Sequence, residues 1–428
     1  MAKEITKLGA GQYRVDFDEH CAVEIGASSV GTLVTRAPGF TPDVTLKKWG
    51  DECWIKLKSQ ASYSIKDATE IGIGKIDRLE ILSDDDKEST RVYPLDKRKG
   101  REDGAFEIEA VLAEKPASGV FEYTWDFAAS GNLSITKQWF LDPKTGRPLQ
   151  SEIDRFGLVS WSDTRGFDKD GIPVCRIRED MINGWVVYRN NTPKMLSGDA
   201  RKYKTGKVGN IERAWMEDAH GWRVWANSDI DLDTGTYRVF CEDKEFNYNA
   251  VLPVRIGPTL GFTSIGSFSG GGDNINAALV SASEDGTITS IFVALSDVTS
   301  GDGYQTAIYS DIDDTDDTGP LELTGAEKTA SIGSTPTWVE WSGLSGTLTN
   351  GEDYAICLHF EDTGEIYYDW LGGTPSRYVY NGYVTNTWDD PLTITTGFGF
   401  VFSTYLEYTA GGAVAAAGAG GRTLMGVG

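Results

Sequence analysis

The sequence is poor in the residues and motifs that most enzyme active sites require. Its three histidines, His20, His220 and His359, lie far apart and match no H-x-x-x-H or catalytic-triad pattern. No G-x-S-x-G or Walker A motif occurs, and segment 71–75, IGIGK, lacks the spacing and the following Ser or Thr of a phosphate-binding loop. These absences predict a non-enzymatic protein. A polysaccharide depolymerase with paired carboxylates stays open as an alternative, because such a pair is defined by its separation in space.

Cysteines and long apolar runs are also scarce. The chain has five cysteines without a C-x-x-C pair, namely Cys21, Cys53, Cys175, Cys241 and Cys357. This set predicts buried, reduced thiols and no disulfide framework. No uncharged apolar run reaches about 18 residues, and the N-terminal residues MAKEITKLGAGQYRV lack the apolar core of a signal peptide. We therefore expect synthesis in the cytoplasm and no membrane partner.

Glycine and aromatic residues are plentiful and favour an all-β protein. The 50 Gly, 13 Trp, 18 Tyr and 17 Phe suit short strands joined by tight turns. In segment 106–112 apolar residues alternate with Glu107 and Glu109, and segment 120–127 alternates in the same way. This period of two is typical of half-buried antiparallel strands. It predicts an N-terminal antiparallel β-sandwich body, of one or two domains.

The alternation of apolar and polar residues continues along the rest of the chain. It predicts strands at 185–188, 221–226, 236–241, 287–295, 304–310, 337–341, 354–360, 366–370 and 398–408. Segment 211–219 fits a short helix or a strand equally well, and segment 202–207 is a small basic loop. The even spacing of turns after residue 274 predicts a C-terminal jelly-roll β-sandwich.

The stretch Val251–Gly266, VLPVRIGPTLGFTSIG, separates two halves of different composition. Pro253 and Pro258 cannot donate to a sheet ladder, so a continuous strand is not expected there. The predicted organisation is an N-terminal β domain at 1–160, a second β region at 161–258 that can belong to the same body, a Gly/Ser linker at 259–273, a jelly-roll domain at 274–409 and an Ala/Gly-rich tail at 410–428.

Charge is divided unevenly at this stretch. Residues 259–428 hold 22 acidic and 3 basic residues, a net charge of −19, whereas residues 1–258 hold 42 and 37, a net charge of −5. An acidic surface repels phosphates and anionic lipids, so nucleic acid and membrane are excluded as partners of the C-terminal half. The simplest interpretation is a solvent-facing domain.

One segment carries a resemblance to a known group of proteins. Residues 205–266, TGKVGNIERAWMEDAHGWRVWANSDIDLDTGTYRVFCEDKEFNYNAVLPVRIGPTLGFTSIG, run from a Trp-rich strand through a D-x-D-x-x-T-G turn to the proline-containing stretch. This order resembles uncharacterised virion accessory proteins of tailed bacteriophages. The C-terminal phrases GTITSIFVALSDV, YQTAIYSD, TWVEWSGLSGTLTNGEDYAICLHF and RYVYNGY resemble the carbohydrate-binding-like jelly-roll modules of phage fibres.

The resemblance implies a structural role in a virion and transfers no catalytic residues. We expect a capsid decoration, a head fibre or a tail-associated subunit, made in the host cytoplasm and assembled with other capsid or tail proteins. A homo-oligomer is expected, with a trimer favoured, because fibres and spikes are commonly symmetric trimers. Either the N-terminal body or the Ala/Gly tail would attach to the particle.

Two acidic turns suggest metal binding. Calcium prefers six to eight oxygen ligands, which a run of aspartates and backbone carbonyls can supply, but the first turn lacks the Glu of an EF-hand loop. A solvated turn is the alternative for both, and Asx-turn hydrogen bonds alone explain the second. No other cofactor is implied. The candidate calcium ligands are Asp311, Asp313, Asp314, Asp316 and Asp317, and the second turn holds Asp229, Asp231 and Asp233.

An aromatic cluster in the C-terminal half suggests a glycan-binding adhesion module as a second function. Ring faces match the apolar faces of sugars, and a host surface polysaccharide would be the ligand. The alternative is core packing, because half of the rings on each strand point inward. The candidate residues are Tyr367, Tyr368, Trp370, Tyr378, Tyr380 and Trp388.

Overall fold

The computed structural model describes most of the chain. The described residues are 4–9, 12–27, 42–60, 69–71, 76–82, 87–95, 101–138, 141–142, 145, 147–162, 164–167, 169, 171, 173–190, 195–196, 203–270, 274–282, 284–311, 318–361, 364–370, 376–380, 387–393, 396–398 and 400–410. The predicted Ala/Gly tail after residue 410 lies outside them.

Strands form nearly all of the regular structure up to the proline-containing stretch. They are β1 (Thr6–Gly9), β2 (Gln12–Asp16), β3 (Cys21–Ala27), β4 (Pro42–Lys48), β5 (Cys53–Ser59), β6 (Thr69–Ile71), β7 (Arg78–Leu82), β8 (Glu88–Leu95), β9 (Gly104–Leu112), β10 (Glu122–Ala129), β11 (Leu133–Lys137), β12 (Ser160–Ser162), β13 (Arg165–Phe167), β14 (Pro173–Ile177), β15 (Trp185–Arg189), β16 (Met195–Leu196), β17 (Lys207–Ile211), β18 (Trp215–Glu217), β19 (Arg223–Trp225), β20 (Asn227–Asp231) and β21 (Thr236–Phe240).

The strands continue from this stretch to residue 410. They are β22 (Val254–Gly257), β23 (Thr259–Phe262), β24 (Phe268–Gly270), β25 (Asn274–Ser281), β26 (Gly286–Ser296), β27 (Tyr304–Ser310), β28 (Thr318–Gly319), β29 (Leu321–Thr324), β30 (Thr337–Leu348), β31 (Asp353–Phe360), β32 (Glu365–Trp370), β33 (Ser376–Tyr380), β34 (Leu392–Thr393), β35 (Thr396–Phe398), β36 (Phe400–Phe402) and β37 (Thr404–Ala410). Short helices are α1 (Gln150–Phe156), α2 (Lys244–Asn249) and a 3-10 turn at Glu179–Met181.

The first body is a sandwich of two antiparallel sheets. One sheet has the order β1-β2-β3-β4-β5-β10-β21-β20, and the other has β11-β15-β17-β23-β9-β22-β18-β19, with β8, β7 and β6 added beside β9. The alternation in β10 buries Tyr123, Trp125 and Phe127 on one face. Trp125 stacks on Tyr237 of β21 with ring centroids 5.7 Å apart. These rings belong to a continuous core between the sheets, as the period-two pattern requires.

The second body is also a sandwich. Its larger sheet has the order β12-β13-β14-β24-β32-β26-β37-β16, with β30 and β36 paired at its side, and its smaller sheet has β29-β27-β31-β25-β33-β35. A second core lies between them and includes Ile177, Ile291, Ile366, Ile308 and Leu358. The all-β class and the sandwich architecture are therefore confirmed.

The proline-containing stretch breaks into two strands, as predicted, but both stay in the first body. β22 pairs with the second half of β9 and β23 with its first half. Between them the Ile108 amide donates to the carbonyl of Pro258 over 3.4 Å. Pro258 therefore interrupts the strand without removing the chain from its place beside β9 inside the sheet.

The predicted linker differs from the structure over its described part, 259–270. β23 lies in the first body and β24 pairs with β14 and β32 in the second. Ser267 and Ser269 are buried beside the fully buried Phe268. The glycine and serine content of this segment suggested flexibility. In the structure, Ser267 and Ser269 instead lie beside β14 and β32, two strands that are distant in sequence.

The predicted region 161–258 is divided between the two bodies. β12, β13 and β14 belong to the larger sheet of the second body, whereas β17 to β22 belong to the first. β15 lies between the bodies, since Val187 packs in the first core and Val186 and Tyr188 pack in the second. The two sandwiches therefore share a strand and are not joined by a simple linker.

Several local predictions can be compared directly. The segment 211–219 forms the end of β17 and all of β18, so the strand alternative is correct and the helix is wrong. The five cysteines are free and buried, as predicted. The basic loop predicted at 202–207 ends in a strand, because Lys207 begins β17 and is fully buried.

Candidate functional site

The described rings of the predicted aromatic cluster lie in the protein interior. Tyr367, Tyr368 and Trp388 are 1%, 3% and 8% exposed, so they do not form an exposed sugar-binding platform. Tyr367 and Tyr368 point to opposite faces of β32, and each face is covered by a different core. The side chains of Trp370, Tyr378 and Tyr380 lie outside the described part of the structure, although the backbone of all three is in β32 or β33.

The predicted calcium turn is described only at its first residue. Asp311 follows β27 with a positive φ of 56°, while Asp313, Asp314, Asp316 and Asp317 lie outside the described residues. Within the described ranges, no group of three or more His, Cys, Asp or Glu side chains is arranged to hold a metal ion.

The second acidic turn joins β20 to β21 as a hairpin. The Asp231 carboxylate accepts hydrogen bonds from the amides of Asp233 at 2.9 Å and Thr234 at 3.1 Å. These contacts are those of an Asx turn. They lower the pKa of Asp231, because the amides stabilise its charged form.

A buried ion pair joins the two bodies. Lys207 of β17 donates to Asp369 of β32 over 2.6 Å, and both side chains are 0% exposed. Asp369 also accepts from the Tyr188 hydroxyl at 2.6 Å and from the Ser267 amide at 2.8 Å. Lys207 donates in addition to the carbonyl of Ile265 at 2.8 Å. A buried pair with its remaining hydrogen bonds satisfied can be held without excessive cost, whereas removing one partner leaves a buried charge.

Beside this ion pair, a cleft opens between the two bodies. We call it the interbody cleft. Its volume is about 1060 Å³, at the upper end of the range for small-molecule sites, and such sites often lie between domains. It is lined by Leu141, Trp161, Thr164, Arg176, Ile177, Arg178, Glu179, Asp180, Ile182, Arg213, Arg223, Val224, Trp225, Ser267, Ser269 and Tyr367.

The described lining of the cleft holds four arginines and two carboxylates, and Glu365, which is not part of the lining, lies 3.7 Å from Arg176. Arg176 and Arg178 lie on and just after β14, and Arg178 donates from Nε to Asp180 over 2.9 Å. Both terminal nitrogens of Arg178 are buried and make no hydrogen bond within the described residues, although Nη2 lies 3.5 Å from Glu212. That carboxylate is already bound by Arg101 through two hydrogen bonds. Arg178 therefore retains donor capacity beside the cleft.

Arg213 and Arg223 approach from the first body. The guanidinium of Arg213 lies 5.2 Å from the ring centre of Trp225, and its buried Nε makes no hydrogen bond in the described part of the chain. Burial lowers the pKa of Arg213 to about 10, and Glu179 offsets this only in part. Arg223 stacks 4.0 Å from the ring of Trp215. The aromatic rings fix both cations in place by cation–π attraction.

The cleft also offers ring faces and hydrogen-bond acceptors. Trp225 is 37% exposed and donates from its indole nitrogen to Glu179 over 3.1 Å, which fixes the ring plane. Trp161 of β12 is half-buried and lines the cleft from the second body. The carboxylate of Glu179, which accepts from Trp225, has further lone pairs for a ligand. The lining thus combines donors, acceptors and apolar surfaces.

Sequence reasoning did not find this cleft. Arg176 and Arg178 are separated from Arg213 and Arg223 by about 40 residues of sequence, and each pair lies in a different body. Only the pairing of β14 with β24 brings the first pair close to β19. The sequence signal for the cleft was the pattern Arg176-Ile177-Arg178. Its alternation places both arginines on the same face of a strand, opposite the buried Ile177.

Comparison with known proteins gives no assignment. No model of a known protein family matches the chain, and a search of curated proteins finds no match. Within the described ranges, no helix has the length and apolar character needed to cross a membrane.

Proposed function

We propose that this chain is a non-enzymatic structural subunit of a tailed-phage virion, acting as a capsid decoration, head fibre or tail-associated protein. The observation that carries the proposal is the segment 205–266, whose sequence resembles virion accessory proteins. In the fold this segment supplies β17 to β23 of the first body and ends at the junction with the second. The resemblance thus covers strands of the first body and not a peripheral loop.

The way in which the bodies are joined supports a load-bearing role. β15 contributes to both cores, and the Lys207–Asp369 pair connects strands from both sandwiches in a water-excluded site. Such contacts oppose relative motion of the bodies, because separation would expose an unpaired charge on each side. This rigidity suits a subunit that is fixed to the surface of a particle.

The charge distribution supports an orientation. The near-neutral residues 1–258 suit packing against other capsid or tail proteins, and residues 259–428, with a net charge of −19, suit contact with solvent. In this arrangement the jelly-roll-like second body faces outward, and the subunits form a homo-oligomer, with a trimer favoured.

The test compares particles of the virus that encodes this chain with particles from which its gene has been deleted. We expect mass spectrometry to find the protein in purified wild-type particles, and cryo-electron microscopy to show density for two packed β-sandwiches that is absent from the deletion particles. The symmetry of that density gives the oligomeric state. Absence of the protein from purified wild-type particles would overturn the proposal.

A further inference from the structure

The interbody cleft has the chemistry of a ligand site, and the structural role proposed above does not use it. A guanidinium that is partly desolvated and lacks an ion-pair partner favours an anion, because the anion restores the electrostatic stabilisation that water no longer supplies. Arg213 meets this description, since its Nε is buried without a hydrogen bond within the described residues. Arg178 adds two further nitrogens without hydrogen bonds.

The shape of the lining indicates more than a simple anion. A volume of about 1060 Å³ is many times larger than one phosphate or carboxylate needs. Trp225 is 37% exposed, and Trp161 lines the cleft from the second body. Flat aromatic faces pack against the C–H groups of sugar rings, whereas hydroxyl groups pair with carboxylates and serine side chains. Glu179 and Ser269 supply such partners.

We propose that the interbody cleft binds an acidic oligosaccharide, with a sugar carboxylate on Arg213 and a sugar ring against Trp225. Arginine is suited to this task because its planar fork matches the geometry of a carboxylate. An acidic protein segment is less suited, because it offers fewer hydroxyl groups to the Glu179 carboxylate and lacks the sugar ring that packs against Trp225. The inference rests on the cleft alone and does not depend on attachment to a virion.

The net charge of −24 does not prevent this binding at physiological ionic strength. The Debye length is about 8 Å in 0.15 M salt, so acidic residues on the far side of the second body are screened from the cleft. Arg213 and Arg223 of the lining then act on a bound anion at short range.

The experiment is calorimetric titration of the full chain at 0.15 M salt with a panel of acidic oligosaccharides and their neutral counterparts. The acidic members are oligogalacturonate, oligoalginate, hyaluronan fragments and sialylated oligosaccharides, and the neutral members include galacto-oligosaccharides and chitin fragments. Inorganic phosphate and a glutamate oligopeptide serve as anions of other classes. We expect one or more acidic oligosaccharides to bind and the neutral members, phosphate and peptide to bind at least 10-fold more weakly.

Substitutions locate the site. Arg213→Gln should reduce the affinity about 10- to 100-fold, because it removes charge-assisted hydrogen bonds to the ligand. Trp225→Ala should reduce it by a similar factor. Arg238→Gln is the matched control, since Arg238 is half-exposed on β21, pairs with Glu122 and does not line the cleft. Its binding should equal that of the wild type.

Three results would overturn the inference. They are the failure of every acidic oligosaccharide to bind, binding of phosphate or the glutamate peptide as tight as that of the best oligosaccharide, and binding unchanged by both cleft substitutions. If Arg213→Gln lowers the melting temperature, the exposed rim variant Arg223→Gln replaces it, and unchanged binding in that variant and in Trp225→Ala counts equally against the site.

Discussion

Glu107 and Glu109 lie on one face of β9, where the hydroxyl of Tyr93 sits between them. It is 3.0 Å from Oε2 of Glu107 and 2.7 Å from Oε1 of Glu109. One hydroxyl proton cannot serve both carboxylates, so the second hydrogen bond requires a proton on an acid. Burial, together with the charge of Glu109, raises the pKa of Glu107 to about 7. Glu107 is therefore the acid that holds this proton below about pH 7.

This assignment predicts the pH dependence of stability. The folded pKa of Glu107 lies above its unfolded value of 4.5, so the folded state binds more protons between these values and loses stability as the pH rises from 4.5 to 7. Glu107→Gln stays neutral and avoids this loss. Its free energy of unfolding should exceed that of the wild type by about 3 kcal/mol at pH 8 and differ little at pH 4.5.

Denaturant unfolding at pH 4.5, 6 and 8 measures this difference. Glu114→Gln is the control, because the Glu114 side chain is 63% exposed and its loss should change stability by less than about 0.5 kcal/mol at each pH. A Glu107→Gln variant that is less stable than the wild type at pH 8 would contradict the proton assignment.

The sequence correctly predicted which side chains of a strand are buried where one face of that strand is exposed to solvent. The alternation in β10 placed Tyr123, Trp125 and Phe127 in the core. It could not decide the position of Tyr367 and Tyr368, because β32 lies inside a sheet that is covered on both faces. A period of two identifies opposite faces, but it does not tell which faces are covered by another layer.

Among the elements, the segment between β23 and β24 packs closely against β32 at Gly266. At Gly266 a β-carbon would lie 2.5 Å from the backbone N, C and O atoms of Tyr368. The Gly266 amide also donates to the hydroxyl of Ser403 over 2.7 Å. Backbone atoms in the middle of a sheet cannot move aside as a side chain can, so this close approach requires glycine.

Gly266→Ala should therefore destabilise the protein by about 1–3 kcal/mol or more, because overpacking forces β24 away from β32. Thermal unfolding followed by circular dichroism measures the effect. Gly333→Ala is the matched control, since no atom lies within 4 Å of the position that its β-carbon would take. Equal melting temperatures for the two variants would show that the bodies are not held together at Gly266.

Strand positions were predictable from sequence to within a few residues in the second body. The prediction of 304–310 matches β27, and 354–360 and 366–370 fall within β31 and β32. Partners of these strands were not predictable. β14 and β24 pair across about 90 residues of sequence, and local alternation carries no information about such long-range pairing.

At the scale of the whole molecule, the charge division and the structural division do not coincide. Charge changes at residue 259, but the second body also includes β12, β13 and β14 from the first half of the chain. The change in charge along the sequence therefore matches the boundary of the fold only in part. A core is defined by which strands pack together, and packing need not follow sequence order.

The shared construction predicts that the second body does not fold alone. A fragment of residues 259–410 would lack β12 to β14, Met181 and Tyr188, which are part of its core. It would also leave the fully buried Asp369 without Lys207, and loss of one partner of a buried pair costs about 3–5 kcal/mol. This cost is a large part of the roughly 5–15 kcal/mol that stabilises a typical domain.

Calorimetry and near-ultraviolet circular dichroism test this expectation. The full chain should unfold cooperatively with fixed aromatic signals, whereas the fragment should show neither. A fragment that melts cooperatively at the temperature of the full chain would mean that the shared strands contribute little to its stability.

The pairing of β14 with β24 and of β24 with β32 also sets an order of events during translation. β14 ends at Ile177, and the residues of β32 follow about 190 positions later. At about 5–20 residues per second, the ribosome needs roughly 10–40 s to make that interval. Ile177 and Met181 are buried in the folded protein. During that interval their side chains stay uncovered in the nascent chain. A chaperone that holds unfolded chains can bind these side chains until β24 and β32 have been synthesised and cover them.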